Sequence, residues 1–310
     1  MATVMMFLTD GDRLDMTRHA LAAAMLTQGA RVDYALYLHD GLLTPGDPLL
    51  THARDHGLIL HCHSLGPATA TDTAPLTIAA MGQMCRHYDR VVAMDSAMLA
   101  MQPVDVDSIG FDRYPIAAVY DFVDGTGVDN PELWHNCRTH RVSPHYFNTG
   151  MIVALGSRWD EGFLARYRHW QQIHAQACPY RTGCRSGERC VWNLTFQNNW
   201  QRLPLDMNYQ AGAMFTPGWT TAPMRHYGEQ GFLPLRIRRS DTRDIALINA
   251  ARQQVLGLPA LGLPFNWPVR LADMARNHRR RDGVAEAMAA LTGMMAQPFD
   301  GQRPGGTARA

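Results

Sequence analysis

Short apolar runs that stop at an acid recur along the first half of the chain, and few folds accommodate them. Residues 3–9 (TVMMFLT) close on Asp10, Gly11 and Asp12. Residues 90–94 (RVVAM) close on Asp95, and residues 116–120 (IAAVY) close on Asp121. Runs this short and this apolar read as strands buried on both faces. Residues 32–38, 58–63 and 151–155 are expected to be further strands. Helix formers fill residues 19–28 up to Gly29, a residue suited to ending a helix. Helices are also expected over residues 75–87 and from Trp159 to about Gln176, with residues 44–47 (TPGD) as a loop. Strands that alternate with helices predict a mostly parallel sheet with helices on both faces. Ligands of such sheets bind outside the carboxyl ends of the strands, so Asp10, Asp95 and Asp121 are expected to share a polar rim. Each acid alone also reads as an ordinary turn or capping residue.

Composition removes several alternatives. The chain has 310 residues, 46% of them hydrophobic, enough for a sizeable core. Lysine is absent, so all 29 basic residues are arginine. A Walker A phosphate loop and a Schiff-base lysine are therefore both excluded. A formal net charge of +1 argues against a broad basic face for nucleic acid. No GxGxxG follows the first strand, and neither GxSxG nor HExxH occurs, which disfavours dehydrogenases, α/β-hydrolases and zincins. No apolar run approaches the roughly 20 residues of a membrane span. The first residues lack a basic leader, so a cytoplasmic protein with reduced cysteines is expected. Cys178, Cys184 and Cys190 are spaced by six, but no CxxC pair supports a zinc site. One domain is expected over residues 1–265. Residues 266–310 form a basic extension that ends in a tail.

Four ordered segments carry a more specific signal. They are residues 88–97 (YDRVVAMDSA), 115–121 (PIAAVYD), 146–153 (YFNTGMIV, followed by Arg158-Trp159) and 188–210 (ERCVWNLTFQNNWQRLPLDMNYQ). Their order and spacing resemble glycosyltransferase family 8, the retaining enzymes related to glycogenin and to bacterial lipopolysaccharide galactosyl- and glucosyltransferases. The resemblance implies a GT-A fold, a Rossmann-like sheet that binds a nucleotide sugar, usually a uridine diphosphate sugar. It also implies a divalent cation, Mn²⁺ or Mg²⁺, held by two acids of a DxD motif and a late histidine.

Carried over residue by residue, the resemblance assigns Asp10, Asp95, Ser96 and Asn148 to the nucleotide sugar. It assigns Asp121, Asn148, Glu188 and Arg189 to the reacting sugar, and Asp95 and His226 to the metal. The chain departs from the pattern at several of these points. Ala97 stands where the second acid of DxD belongs, and a methyl group ligates nothing. Glu188 and Cys190 replace two acids of a later motif, with Arg189 in place of a glutamine. The basic residue of the helix before DxD falls near Thr77 and Ile78, and the KPW after the late histidine is missing. Arg86, Arg189 and Arg225 are the cations expected to compensate. Ala97→Asp is expected to raise metal affinity if the backbone keeps the family geometry. Asp105 and Asp107 are the next acids able to complete a site.

The expected function is transfer of a hexose from a nucleotide-diphosphate sugar to a glycan or lipid-linked acceptor, with retention. The alternative is a non-catalytic GT-A-like scaffold that binds nucleotide, glycan or protein, because Asp95-Ser96-Ala97 is a degenerate DxD. Arg270, Arg276, Arg279, Arg280 and Arg281 form a basic cluster. They are expected to give a peripheral contact with the inner face of the membrane.

Overall fold

The computed structural model describes residues 1–9, 13–39, 41–65, 73–106, 108, 110, 113–121, 146–178, 187–197, 199–211, 217–228, 231–232 and 242–261. Asp10, Asp107, Cys184 and the basic cluster from Arg270 to Arg281 lie outside them, as does the 266–310 extension.

The main sheet begins with β1 (Thr3–Leu8), β2 (Asp33–Leu38), β3 (Leu60–Ser64) and β4 (Arg90–Met94). It continues with β6 (Ile116–Tyr120), β7 (Phe147–Leu155) and β8 (Trp200–Arg202). Their order is β3-β2-β1-β4-β7-β6-β8. The strands β4 and β6 are buried along their whole length, and β1 and β2 nearly so, which is why their sequences are unbroken apolar runs.

Between the strands lie α1 (Leu14–Gln28), α2 (Pro48–Asp55) and α3 (Thr73–Cys85). The chain steps from β1 outward to β2 and β3, then returns past β1 to β4. Right-handed crossovers in these opposite directions put α1 and α2 on one face and α3 on the other. The second half adds α4 (Phe163–Ala177) and α5 (Gly187–Thr195), which pack on each other, and then α6 (Pro217–Thr221) and α7 (Thr242–Ala250). α2 occupies chain that follows the expected 44–47 loop. Asp47 caps it by accepting the Leu49 N–H at 2.9 Å, with Pro48 in its first turn. α4 starts at Phe163, later than Trp159, because Asp160 accepts the Gly162 N–H at 2.8 Å and holds a turn there.

One strand runs against the rest. β1, β2, β3 and β4 are mutually parallel, as are β6 and β8, whereas β7 is antiparallel to both β4 and β6. The first residues of β7 therefore emerge where its neighbours end. A second sheet, β5 (Met98–Ala100), β10 (Met224–His226) and β9 (Tyr209–Gln210) in that order, packs beyond this edge. Arg225 secures it from below. Its guanidinium is fully buried, bonds Asp244 of α7 and the Thr220 carbonyl, and lies over the Trp219 ring at 5.3 Å.

Candidate active site

The strand order reverses between β1 and β4, and a sheet of this kind opens a crevice at that point. A cavity of about 230 Å³ lies there. Leu8 and Arg13 line it from the end of β1, Met94, Asp95 and Ser96 from the end of β4, and Thr77 from α3. Thr149 of β7 and Glu188 and Trp192 of α5 close the far wall.

Asp95 sits at the crevice because β4 ends one residue earlier. It also organises its own turn: its Oδ1 accepts the Ala97 N–H at 2.6 Å, and its carbonyl accepts the Met98 N–H at 3.1 Å. The capping role and a ligand role are compatible, since one carboxylate oxygen serves the turn. Ser96 lines the cavity, while Ala97 turns inward and is 0% exposed within the hydrophobic core. The position of the missing acid is thus a packed position. Its carbonyl accepts the Tyr227 N–H at 3.0 Å.

That bond belongs to the contact that delivers His226. β10 pairs antiparallel with β5, and His226 lies opposite Met98. The imidazole packs on Gly150, where even a methyl group would collide with the ring. His226 is buried, and its Nδ1 has no hydrogen-bond partner. Burial lowers its pKa, Asp95 and Asp121 raise it, and Arg189 and Arg13 lower it. The net direction is down, so the ring is held neutral with a lone pair or N–H to offer a ligand.

The reversed β7 places Asn148 beside the other strand ends. Its amide Nδ2 donates to Asp121 Oδ1 at 3.2 Å, and its Oδ1 accepts the Gly150 N–H at 2.8 Å and the Asn208 amide at 2.9 Å. Asp121 Oδ2 accepts from Arg189 Nη1 at 3.0 Å, and the Asp121 side chain is 2% exposed. Asn193 holds α5 to β7: it accepts the Phe147 N–H at 2.8 Å and donates to the Phe147 carbonyl at 2.9 Å. Next to this contact the Tyr146 hydroxyl donates to Cys190 Sγ at 3.2 Å, and burial pushes that hydroxyl well above its ordinary pKa. Among the described residues Cys62, Cys85, Cys178 and Cys190 form no disulfide.

Two groups of the expected residues are therefore brought together. Asp95, Ser96 and Glu188 line the cavity, and Asp121, Asn148 and Arg189 form a buried network whose charges reach His226. The expected compensating arginines separate. Arg189 is in that network, Arg225 is a buried structural residue, and Arg86 is exposed and paired with Glu161 at 3.0 Å. Arg13 lines the cavity although no motif marked it. Its only signal was its position directly after Asp10-Gly11-Asp12 in the sequence.

The donor set falls short of the cation site that the resemblance implies. Asp95 gives one uncommitted oxygen and His226 one orphaned nitrogen. Among the described residues no three His, Cys, Asp or Glu side chains are grouped to hold a metal.

The model of glycosyl transferase family 8 matches residues 105–224. That match covers 120 of the 310 residues. The family 8 segment contains Asp121, Asn148, Glu188 and Arg189, and it begins after Asp95-Ser96-Ala97. No curated protein matches the chain. Solved structures that share its fold include the following three. The bifunctional glycosyltransferase WbbM in its apo form is 17% identical with a TM-score of 0.59, over 80% of this chain and 49% of WbbM. The chain thus spans about half of that protein. The galactosyltransferase LgtC, solved with donor and acceptor sugar analogs, is 12% identical with a TM-score of 0.57, over 86% of this chain and 99% of LgtC. GlyE of Streptococcus pneumoniae is 14% identical with a TM-score of 0.53, over 85% of this chain and 66% of GlyE. The chain shares the GT-A fold of these proteins, and the family 8 match lies within it. Among the described residues no helix is long and apolar enough to cross a membrane.

Proposed function

We propose that the protein transfers a hexose from a uridine diphosphate sugar to a glycan or lipid-linked acceptor, with retention at the anomeric carbon. The observation that carries this reading is the cavity at the β1–β4 crevice, with Asp95 and Ser96 on one wall and Glu188 of the family 8 segment on the other. LgtC, which shares the fold, was solved with donor and acceptor sugar analogs, and that supports a sugar donor here.

In this reading the chemistry is positioning and electrostatics. Breaking the glycosidic bond leaves positive charge on the sugar ring and negative charge on the diphosphate. The carboxylates of Asp95 and Glu188 line the same cavity. The uncommitted oxygen of Asp95 accepts from a donor hydroxyl, and Glu188 steadies the developing cation of the sugar. Asp121 has both oxygens engaged by Asn148 and Arg189, so it orders the floor and leaves direct attack to other groups. Retention then follows from the acceptor entering on the face the diphosphate leaves.

The burial of Ala97 in the core favours a second reading, a scaffold that binds the nucleotide without turnover. One experiment separates the two. Uridine diphosphate binding is followed by calorimetry, and hydrolysis of several uridine diphosphate sugars is followed with and without Mn²⁺. Binding with donor hydrolysis supports the transferase, and binding without hydrolysis supports the scaffold. No binding of any nucleoside diphosphate at millimolar concentration refutes both.

A further inference from the structure

We propose that Arg13 is the residue that binds the donor's diphosphate, as a fixed guanidinium standing where a divalent cation would be expected. This rests on the nucleotide-sugar reading above and assigns the charge that reading leaves unaccounted for.

The argument begins with the charges around the cavity. Asp95 and Glu188 line it, so its walls carry two carboxylates. A diphosphate entering there adds further negative charge. Arg189, the other arginine of the site, pairs with Asp121 at 3.0 Å. Thr77, where the resemblance implies a basic residue, offers a hydroxyl from α3. Without another cation the crevice would repel the ligand it is shaped to hold.

Among the described lining residues Arg13 is the cationic one. It is half-buried and stands at the N-cap of α1, a helix that runs to Gln28. The positive end of the α1 dipole therefore points to the same place as the guanidinium. A guanidinium stays protonated at any working pH and offers a planar fork of N–H donors, which suits two phosphate oxygens at once. A histidine and a single carboxylate hold a hard dication weakly, whereas an arginine needs no such ligands.

The test uses the full chain in EDTA and compares uridine, uridine monophosphate and uridine diphosphate by calorimetry. The wild type is expected to bind the diphosphate more tightly than the nucleoside and to keep this preference without metal. Arg13→Gln is expected to weaken the diphosphate by roughly 10- to 100-fold, the loss of a hydrogen bond to a charged group, and to leave uridine unchanged. Arg13→Lys, which retains the charge but loses the fork, should fall between the two. Thermal melts confirm that each variant is folded. Equal losses for uridine and the diphosphate would make Arg13 a base contact and overturn the proposal. No loss in Arg13→Gln, or a wild-type preference that vanishes in EDTA, would also overturn it. If the wild type binds none of the three, the nucleotide-sugar reading itself fails, and the two failures are distinct.

Discussion

Ala97→Asp writes the missing carboxylate back into the Asp95-Ser96-Ala97 motif, and the structure changes what that substitution is expected to do. The alanine methyl is 0% exposed and part of the hydrophobic core, and the backbone on both sides is fixed by the bonds to Asp95 and Tyr227. A carboxylate placed there is desolvated, so its folded pKa should rise. A rise of ~3 units corresponds to about 4 kcal/mol at neutral pH. For a domain of this size that is a loss of roughly 10 °C in Tm. The sign follows from the direction of the shift. A carboxylate with a raised folded pKa costs little below its unfolded value and progressively more as pH rises through the folded value. The gap between Ala97→Asp and the neutral control Ala97→Asn should therefore widen from pH 4 to pH 7 on the scale of ordinary carboxylates. Should the new oxygen reach the Asp95–His226 pair, Mn²⁺ at 100 times its dissociation constant would restore about 2.7 kcal/mol. Thermal melts of both variants across this pH range, with and without Mn²⁺, measure all of it. An Ala97→Asp protein as stable as wild type in EDTA at every pH would refute the reasoning, because position 97 would then not be packed.

Two further perturbations test the packing around buried histidines. Gly150→Ala drives a methyl into the His226 ring and the Asn148 side-chain Oδ1 and should cost ~1–3 kcal/mol by denaturant unfolding; an unchanged midpoint would show that His226 does not rest on Gly150. Stability should be full above pH 6.5 and fall as pH drops below it, because burial lowers the folded pKa of His19 and His226 and their protonation favours the unfolded chain; a Tm that stays flat from pH 7 to 5 would contradict this.

Much of the sheet could be read from the sequence because continuous apolar runs leave a residue no other place to go. β4 and β6 fall on the expected residues, and the three acids were noticed because each follows a buried strand. The short strands β5, β8, β9 and β10 escaped, since two or three residues carry no period. The reversed direction of β7 was also hidden. Strand polarity depends on where the preceding chain travels, and the residues of β7 would look the same in either orientation. That polarity is what brings Asn148 to Asp121. Arg13 escaped for a different reason: a lone arginine after a turn reads as a solvated surface residue until a cavity is seen beside it. The resemblance supplied Asp95 and His226 as partners, which no local pattern joins.

The second sheet bears on the order in which the protein becomes competent. β5 follows directly on Asp95, but β10 and β9 come from the far side of the chain, so their pairing closes a long loop. Contacts of that kind form late in folding. β1 to β4 can therefore pair before β10 brings His226 to the crevice and the Tyr227 N–H to the Ala97 carbonyl. The crevice is then a device assembled on a finished platform. A ligand that bridges Asp95 and His226 would act as the latch that keeps it shut.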